Sequence, residues 1–286
     1  YLDFGTEQAG IVAAVDADEV DMVYETIGDF ILIMDEIGWA KSEAVTANTV
    51  VIRANQTAEV DGITPYADAR VRRALAMAID NAVLLELGFS DNGRVAENHH
   101  VSPIHPEYAE LPPLVFDPAG AKALMDEAGM GDYEHDLISI DDTWRKNTTD
   151  AATAMLRDAG INVKRTVLPG STFWNDWAKY PLSTTDWAQR PLGVQVLALA
   201  YRSGEPWNEA AFANAEFDSL LGEALAIADA DQRRKVMAKL EKIMQDEGVI
   251  IQPYWRSIYR HHKANVVGAE MHPTFEIHVA KLGFAA

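Results

Sequence analysis

Residues 65–80 read PYADARVRRALAMAID, and they contain the signals that begin a helix and give it one buried face. Asp68 stands where an N-cap side chain accepts a hydrogen bond from the first helical turn, so we predict a helix that begins near Ala69. Apolar side chains then recur at helical spacing. They predict a face that packs into a core: Val71, Leu75, Ala78 and Ile79.

Three arginines decorate the other sides of this predicted helix: Arg70, Arg72 and Arg73. A cluster of guanidinium groups can form an anion site. It can equally form salt bridges on a strongly acidic surface. We interpret the arginines as salt-bridge partners and keep the anion site as the alternative.

A second helix signal follows in residues 116–129, which read FDPAGAKALMDEAG. Asp117 is an N-cap directly before a proline at the first helical position, and Gly129 ends the helix. Further along, the patterns predict a strand at 137–140, a helix at 149–159 and a strand at 162–168. This alternation is typical of an α/β fold.

The same alternation is predicted at both ends of the chain. We predict strands at 1–4, 20–24, 45–52, 249–254 and 257–261, and helices at 7–15, 30–37 and 217–228. A last helix is predicted to begin after its N-cap, Asp231, and to end at Gly248. We expect the strands at 1–4 and 20–24 to share a sheet with a C-terminal strand. Because exposed strand edges are rarely left open, we also expect further elements upstream of Tyr1. The predicted core of the central region comprises Leu75, Leu124, Met125, Leu156, Leu221, Leu240 and Ile243.

Composition limits the classes of function. The chain has 286 residues, 48% hydrophobic content and a formal charge of -20. Such a charge repels phosphate backbones and anionic lipid, so we expect no nucleic-acid partner and no membrane-surface partner. Zero cysteines exclude disulfides, thiolate catalysis and Cys-ligated metal sites. The sequence contains no apolar run long enough to span a bilayer.

Residues 88–113 read as a long loop that carries His99, His100 and His105. Neutral imidazole is a common ligand of Zn, Ni and Cu, so a metal site is one interpretation. The spacing matches no known ligand signature. We therefore favour hydrogen-bonded surface or cleft histidines.

The stretch 173–218 is the predicted functional region. Four of the 7 tryptophans of the chain lie in it: Trp174, Trp177, Trp187 and Trp207. Aromatic faces provide contact area at small entropic cost, and arginines among them provide planar recognition of anions, a mixture that suits a pocket wall. The alternative is that these tryptophans are ordinary core residues.

Three segments resemble the extracellular solute-binding proteins of the peptide/nickel class, which are the receptors of ABC importers. Residues 65–80 are similar to the family's Pro-Phe-x-Asp-x-Arg-Val-Arg-x-Ala signature with its later Ala-Ile-Asp. Residues 116–129 resemble its Tyr-Asp-Pro-x-x-Ala-x-x-Leu-Leu-x-Glu-Ala-Gly. Residues 214–221, NAEFDSLL, resemble its Asn-Pro-Glu-Phe-Asp-x-Leu-Leu. The order and spacing of the segments agree as well, so the resemblance extends over essentially the whole chain.

The resemblance implies an α/β, two-lobed periplasmic-binding-protein fold with one lobe complete and the other only partly present. Residues 1–53 would be a partial lobe one, 54–261 lobe two with the ligand-cleft wall, and 262–286 the return to lobe one. It further implies a periplasmic monomer, exported by an upstream signal peptide, that captures a small solute between its lobes and delivers it to a membrane permease. No cofactor is expected.

The family's ligand contacts from lobe two fall in the stretch that matches residues 180–208. The candidate ligand-binding residues are Asp186, Trp187, Arg190, Arg202, Trp207, Asn208 and Glu209, with His99 and His100 as candidates for the rim of the cleft. The two tryptophans would hold a planar or apolar part of the solute. Arg190 would pair with an anionic group and Glu209 with an amino group.

Other functions stay open at this point. A hydrolase could use paired carboxylates such as Glu205 and Glu209 as acid and base. A receptor domain could bind a partner protein instead of a solute, and a binding protein could take a glycoside or a metal chelate instead of a peptide or amino-acid-like compound. Because the sequence contains no activated serine motif, phosphate loop or metal-protease helix, we predict binding without catalysis, with no catalytic residue and no metal ligand.

Overall fold

A computed structural model describes residues 1–4 and 8–285 of the chain. The chain forms two compact units. Unit 1 comprises Tyr1–Thr46 and Arg256–Ala286, and unit 2 comprises Ala47–Trp255.

The elements alternate between helix and strand along the chain. The helices are α1 Gln8–Asp16, α2 Phe30–Ile37, α3 Ala69–Met77, α4 Asn81–Phe89, α5 Pro118–Glu127, α6 Thr143–Asp158, α7 Gly170–Phe173, α8 Gly193–Ala200, α9 Ala215–Ala226 and α10 Ala230–Asp246, with a 3-10 turn at Val279–Lys281. The strands are β1 Ala40–Ala54, β2 Gly93–Val95, β3 His135–Ile140, β4 Val163–Leu168, β5 Leu182–Trp187, β6 Ile250–Ile251, β7 Tyr254–His262, β8 Val266–Val267 and β9 Gly283–Phe284. Among the described helices, none is both long and apolar enough to cross a membrane.

The main sheet is mixed. In the described part of the chain its strands follow the order β2-β7-β1-β5-β3-β4, with β6 beside β1. The β1–β5 pair is antiparallel, whereas β5–β3 and β3–β4 are parallel. The α/β class predicted from the sequence is confirmed.

Helices cover both faces of the sheet in unit 2, because alternate strand residues point to opposite sides. On one face Ile52 and Leu182 pack with apolar residues of α3, α5 and α6. On the other face Val51 and Trp187 pack with residues of α8, α9 and α10. The predicted core is confirmed: Leu75, Met125, Leu156, Leu221 and Leu240 are buried, and Leu124 and Ile243 are half-buried against them.

The predicted helix caps are confirmed where the signal is local. Asp68 accepts a hydrogen bond from the backbone N–H of Arg70, and Asp117 accepts one from Gly120. The cap predicted at Asp231 is wrong. Asp229 accepts from the backbone of Gln232 instead, so α10 begins two residues earlier and Asp231 lies in its first turn.

The arginines of α3 form salt bridges, as interpreted, but not all on the surface. Arg70 pairs with Asp68 at 2.6 Å. The prediction that Arg72 decorates an outer side is wrong, because its side chain is buried, pairs with Glu247 at 3.0 Å and donates to the backbone carbonyl of Tyr66 at 2.8 Å. The Arg72 guanidinium also donates to the backbone carbonyls of Ala67 at 2.9 Å and Glu247 at 3.0 Å, and these acceptors replace the water that a buried guanidinium loses.

Helix α8 was not predicted. Its N-cap residue, Leu192, provides no side-chain cap. The carboxylate of Glu107 accepts from the backbone N–H of Val194 at 3.0 Å and serves as a cap from 87 residues away. No pattern near α8 could reveal such a cap.

Unit 1 has small apolar clusters, one formed by Val15, Val23 and Met34. The predicted helix at 7–15 is observed as α1, although Glu7 lies outside the described residues. The strand predicted at 1–4 is wrong, since that segment is irregular and the side chain of Tyr1 is fully exposed. The strand predicted at 20–24 is reduced to an isolated bridge between Met22 and His262.

Candidate functional site

The register of β1 and β5 places polar side chains on one face of the sheet in unit 2. Arg53 lies opposite Ser183, and Val51 lies opposite Thr185. Opposed residues of antiparallel strands share a face, and every second residue returns to it. Arg53, Thr185 and Trp187 therefore project from the same side.

Glu209 lies over this face and accepts hydrogen bonds from all three side chains. Nε of Arg53 is 3.0 Å from one carboxylate oxygen. The Thr185 hydroxyl is 2.7 and 2.8 Å from the two oxygens, and the indole N–H of Trp187 donates at 2.8 Å. These donors fix the rotamer of the carboxylate and the orientation of the indole.

The ion pair between Arg53 and Glu209 is enclosed by protein. Arg53 is fully buried, and Glu209 is 2% exposed. The Arg53 guanidinium also donates to the backbone carbonyls of Trp177 and Tyr180. Each charge thus has a counter-charge and further hydrogen bonds, which is the condition under which buried charges are tolerated.

Asn208 folds the loop that carries Trp207 and Glu209. Its amide nitrogen donates to the carbonyls of Arg202 at 3.0 Å and Phe212 at 2.8 Å, and its amide oxygen accepts from the backbone of Phe212 at 3.1 Å. The side chain of Asn208, a predicted ligand contact, is engaged in loop structure.

Trp207 presents an aromatic surface beside Trp187. The ring centroids are 5.9 Å apart and the planes meet at 66°, an edge-to-face contact. Trp207 is 45% exposed, whereas Trp187 is 6% exposed. Trp187 forms the fixed base, and Trp207 is the ring that remains accessible for stacking.

The predicted site residue Asp186 points to the opposite face of β5. It accepts from Nε of Arg145 at 2.8 Å. The Arg145 guanidinium lies 4.6 Å from the centroid of the Trp144 ring and 5.9 Å from that of Trp174, and it also pairs with Asp142. The structure therefore does not bring Asp186 together with Trp187, its neighbour in sequence.

The two predicted site arginines interact with nearby protein groups. Arg190 is half-buried and donates to the carbonyls of Ala188 at 2.8 Å and Gln189 at 3.0 Å. Arg202 lies 3.8 Å from the carboxylate of Glu205. Both contacts are local and leave part of each guanidinium exposed.

The rim position predicted for His99 and His100 is wrong, because both side chains are buried. His100 packs edge-to-face on Trp187 at 5.7 Å, and its Nδ1 is 2.6 Å from the Tyr201 hydroxyl. Burial lowers the pKa of His100 to about 3, so the ring is neutral and supports the indole from inside. Within the part of the chain that the structure describes, no group of three potential metal ligands includes His99, His100 or His105.

Sequence reasoning missed Arg53 and Thr185 as members of the site. One signal was present, since Arg53 interrupts the β-branched run 50–52 of a strand that reads as buried on both faces. A charged residue at such a position requires a partner of opposite charge. Its partner lies 156 residues away, and nothing local identifies it.

Comparison with known proteins gives a family and several relatives. The family described as "Bacterial extracellular solute-binding proteins, family 5 Middle" matches residues 2–209. Heme-binding protein A of Haemophilus influenzae is 25% identical over 209 residues, which are 64% of this chain and 36% of the relative. The dipeptide-binding protein DppE of Bacillus subtilis is 22% identical over 227 residues, 73% of this chain and 41% of the relative.

Among solved structures, the oligopeptide-binding protein AppA of Bacillus subtilis, in complex with a nonapeptide, superposes with a TM-score of 0.82 at 19% identity. The superposition covers 99% of this chain and 59% of AppA. The fold is therefore that of these two-lobed proteins. The chain spans about two fifths of the length of the curated relatives it matches.

Proposed function

Because the chain belongs to the bacterial extracellular solute-binding proteins, family 5, we propose that it is part of the solute-binding receptor of an ABC importer. The solute is a small peptide or an amino-acid-like compound. Support for this class comes from relatives named for dipeptide and oligopeptide binding. The receptor acts in the periplasm as a monomer and delivers its solute to a membrane permease.

The observation that carries the proposal within unit 2 is the exposed ring of Trp207 on a rigid base. Trp187 beneath it is held by Glu209 on one side and by His100 on the other. A fixed aromatic pair binds a planar or apolar group with little loss of conformational entropy. Trp207 is thus the solute-stacking residue of this unit.

The remaining predicted residues divide into two roles. Glu209 and Asn208 position Trp207 and Trp187, since their polar atoms are engaged by protein groups. Arg190 and Arg202 keep exposed guanidinium surface and serve as candidates for an anionic group such as a carboxylate. We assign unit 2 to lobe two and unit 1 to lobe one, so that Arg53, predicted in lobe one, lies with its partner Glu209 in lobe two.

The contacts argue against the hydrolase alternative. Glu209 has a buried arginine as counter-charge, and Glu205 has Arg202 at 3.8 Å. The oxygens of Glu209 also accept from Thr185 and Trp187, so this enclosed carboxylate is not placed to reach a solute as acid or base.

A thermal-shift screen tests the proposal. The full-length protein is tested with peptides, amino-acid derivatives, glycosides and metal chelates. Ligand at a hundred times Kd stabilises the native state by about 2.7 kcal/mol, so a peptide or amino-acid derivative should raise Tm with increasing concentration. Mass spectrometry of the recovered compound should show it unchanged. The solute class would be overturned if only glycosides or chelates raised Tm, or if none of the tested solutes did. A cleaved compound would favour the hydrolase.

A further inference from the structure

Three potential metal ligands meet in unit 1, and none of them belongs to the aromatic site of unit 2. They are His272, Glu276 and His278, with the spacing His-x-x-x-Glu-x-His. Each provides one ligand atom, and the three atoms lie within 4.8 Å of one another. His272 is half-buried, and the other two are exposed.

The backbone explains why these residues converge. The segment runs between β8 and β9, which pair antiparallel and hold its two ends together. The N–H of Phe275 donates to the carbonyl of His272 at 2.8 Å, and Phe275 has a left-handed φ of 62°, so the chain turns sharply here. The Phe275 ring stacks on Tyr24 at 5.9 Å and anchors the turn.

Hydrogen bonds leave suitable atoms for a cation. Nδ1 of His272 is 2.9 Å from the Thr274 hydroxyl, which lies 3.2 Å from a carboxylate oxygen of Glu276. The backbone N–H of Thr274 also donates to Nδ1 at 3.3 Å, so Nδ1 is the acceptor in this structure. Ligation through Nε2 requires the proton to move to Nδ1, where the Thr274 hydroxyl can accept it and hold the ring, as outer-shell partners commonly do for metal-bound histidines. In the described residues, no group forms a hydrogen bond with the His278 ring, which packs edge-to-face against His272 at 5.4 Å.

We propose that these three side chains bind a divalent transition cation, with Zn²⁺ as the representative ion. Two imidazoles and one carboxylate form a three-ligand set of the kind that leaves a coordination position open to water. Zn–N bonds of about 2.0–2.1 Å bring ligand atoms roughly 3.3 Å apart. Exposed side chains can close the present separation by rotating about their χ angles.

Charge favours the cation further. The set carries one negative charge when both histidines are neutral, and the chain as a whole has a formal charge of -20. A metal ion bound by residues on both sides of the turn would cross-link the two ends of the segment 272–278. Bound metal therefore stabilises the folded form of unit 1 by mass action.

Calorimetric titration of the chelator-treated, full-length protein with Zn²⁺ tests the site. We expect one equivalent to bind, and His272→Ala and His278→Ala each to weaken the affinity at least tenfold. His262→Ala is the matched control, because His262 is a half-exposed histidine of the same unit outside the cluster, and it should leave the affinity unchanged. Binding with cobalt(II) should produce visible absorption in the parent protein and lose it in the two variants.

A third variant tests the site even if a histidine variant folds poorly. Glu276→Gln alters an exposed carboxylate and should weaken Zn²⁺ binding with the Tm of the metal-free protein unchanged. Absence of Zn²⁺ binding by the parent protein, or affinity that survives in both histidine variants, would overturn the proposal. The titration contains no solute, so its outcome is independent of the receptor function proposed above.

Discussion

The two faces of β5 hold charged residues in different ways. On one face the Glu209 carboxylate is enclosed with Arg53, and an exposed tryptophan lies above it. On the other face Asp186 pairs with Arg145, whose side chain is 18% exposed and packs on aromatic rings. A buried ion pair holds its side chains in one geometry, and removing one partner lowers the free energy of unfolding strongly. A partly solvated ion pair adds little to that free energy. The face with the buried pair is therefore the one that can hold an aromatic contact rigidly.

Glu209→Gln should produce the largest effect. The substitution keeps the size of the side chain but leaves the Arg53 charge buried without its counter-charge. Removing one partner of a buried ion pair costs about 3–5 kcal/mol of the free energy of unfolding. Denaturant unfolding followed by circular dichroism measures it.

Asp186→Asn is the matched control on the opposite face. Arg145 keeps its pairing with Asp142, so the loss should stay at about 1 kcal/mol or less. Equal losses for the two variants would contradict the distinction between the faces.

Glu241 provides a second buried carboxylate. Among the described residues, no arginine pairs with it as Arg53 pairs with Glu209. Burial raises its pKa to about 9, and the carboxylates of Glu97 and Glu107 add to the shift. The backbone of Ala109 opposes it in part, and the nearest ring nitrogen of His99 lies 3.8 Å away. We expect Glu241 to be neutral in the folded protein at neutral pH.

The pH dependence of stability follows from this shift. The folded protein keeps the Glu241 proton up to about pH 9, whereas the unfolded chain releases it near 4.5. The raised pKa of Glu241 therefore makes its full contribution to the free energy of unfolding below pH 4.5. As pH rises above that value, this contribution declines by about 1.4 kcal/mol per pH unit. Over the interval from 4.5 to 7 the loss is on the order of 3 kcal/mol.

Glu241→Gln should remove this decline and raise the free energy of unfolding at pH 7 to 8, opposite in sign to Glu209→Gln. Denaturant unfolding of the variant and the parent at pH 5, 6, 7 and 8 measures the difference. Parallel curves for the two proteins would show that Glu241 is not protonated in the folded state.

Local signals explain which parts of the fold were predictable. Asp68 and Asp117 cap the helices directly after them, so a few residues of sequence are sufficient. Helix α8 escaped prediction because its cap, Glu107, comes from a distant loop. Arg72 was expected outside, since its acceptor Glu247 is remote in sequence.

The candidate site was predictable in composition but not in arrangement. The aromatic stretch identified Trp187 and Trp207, which the structure brings together. The alternation of a strand separates Asp186 from Trp187, and only the pairing of β1 with β5 brings Arg53 to this face. The sequence does not predict His272 and His278 as ligands, because their convergence depends on a turn with a left-handed residue, Phe275, that the sequence does not reveal.

Calorimetry with the solute identified by the screen tests the central claim most directly, on Trp207→Ala and Trp174→Ala. The two tryptophans are 45% and 42% exposed. Trp207 contacts Trp187, whereas Trp174 lies 5.9 Å from the Arg145 guanidinium, so each is a fair control for the other. We predict that Trp207→Ala loses on the order of 1 kcal/mol of binding free energy, about fivefold in Kd, while Trp174→Ala binds as the parent protein does. Unchanged affinity in Trp207→Ala would contradict the account, and a loss confined to Trp174→Ala would place the solute at Trp174 instead.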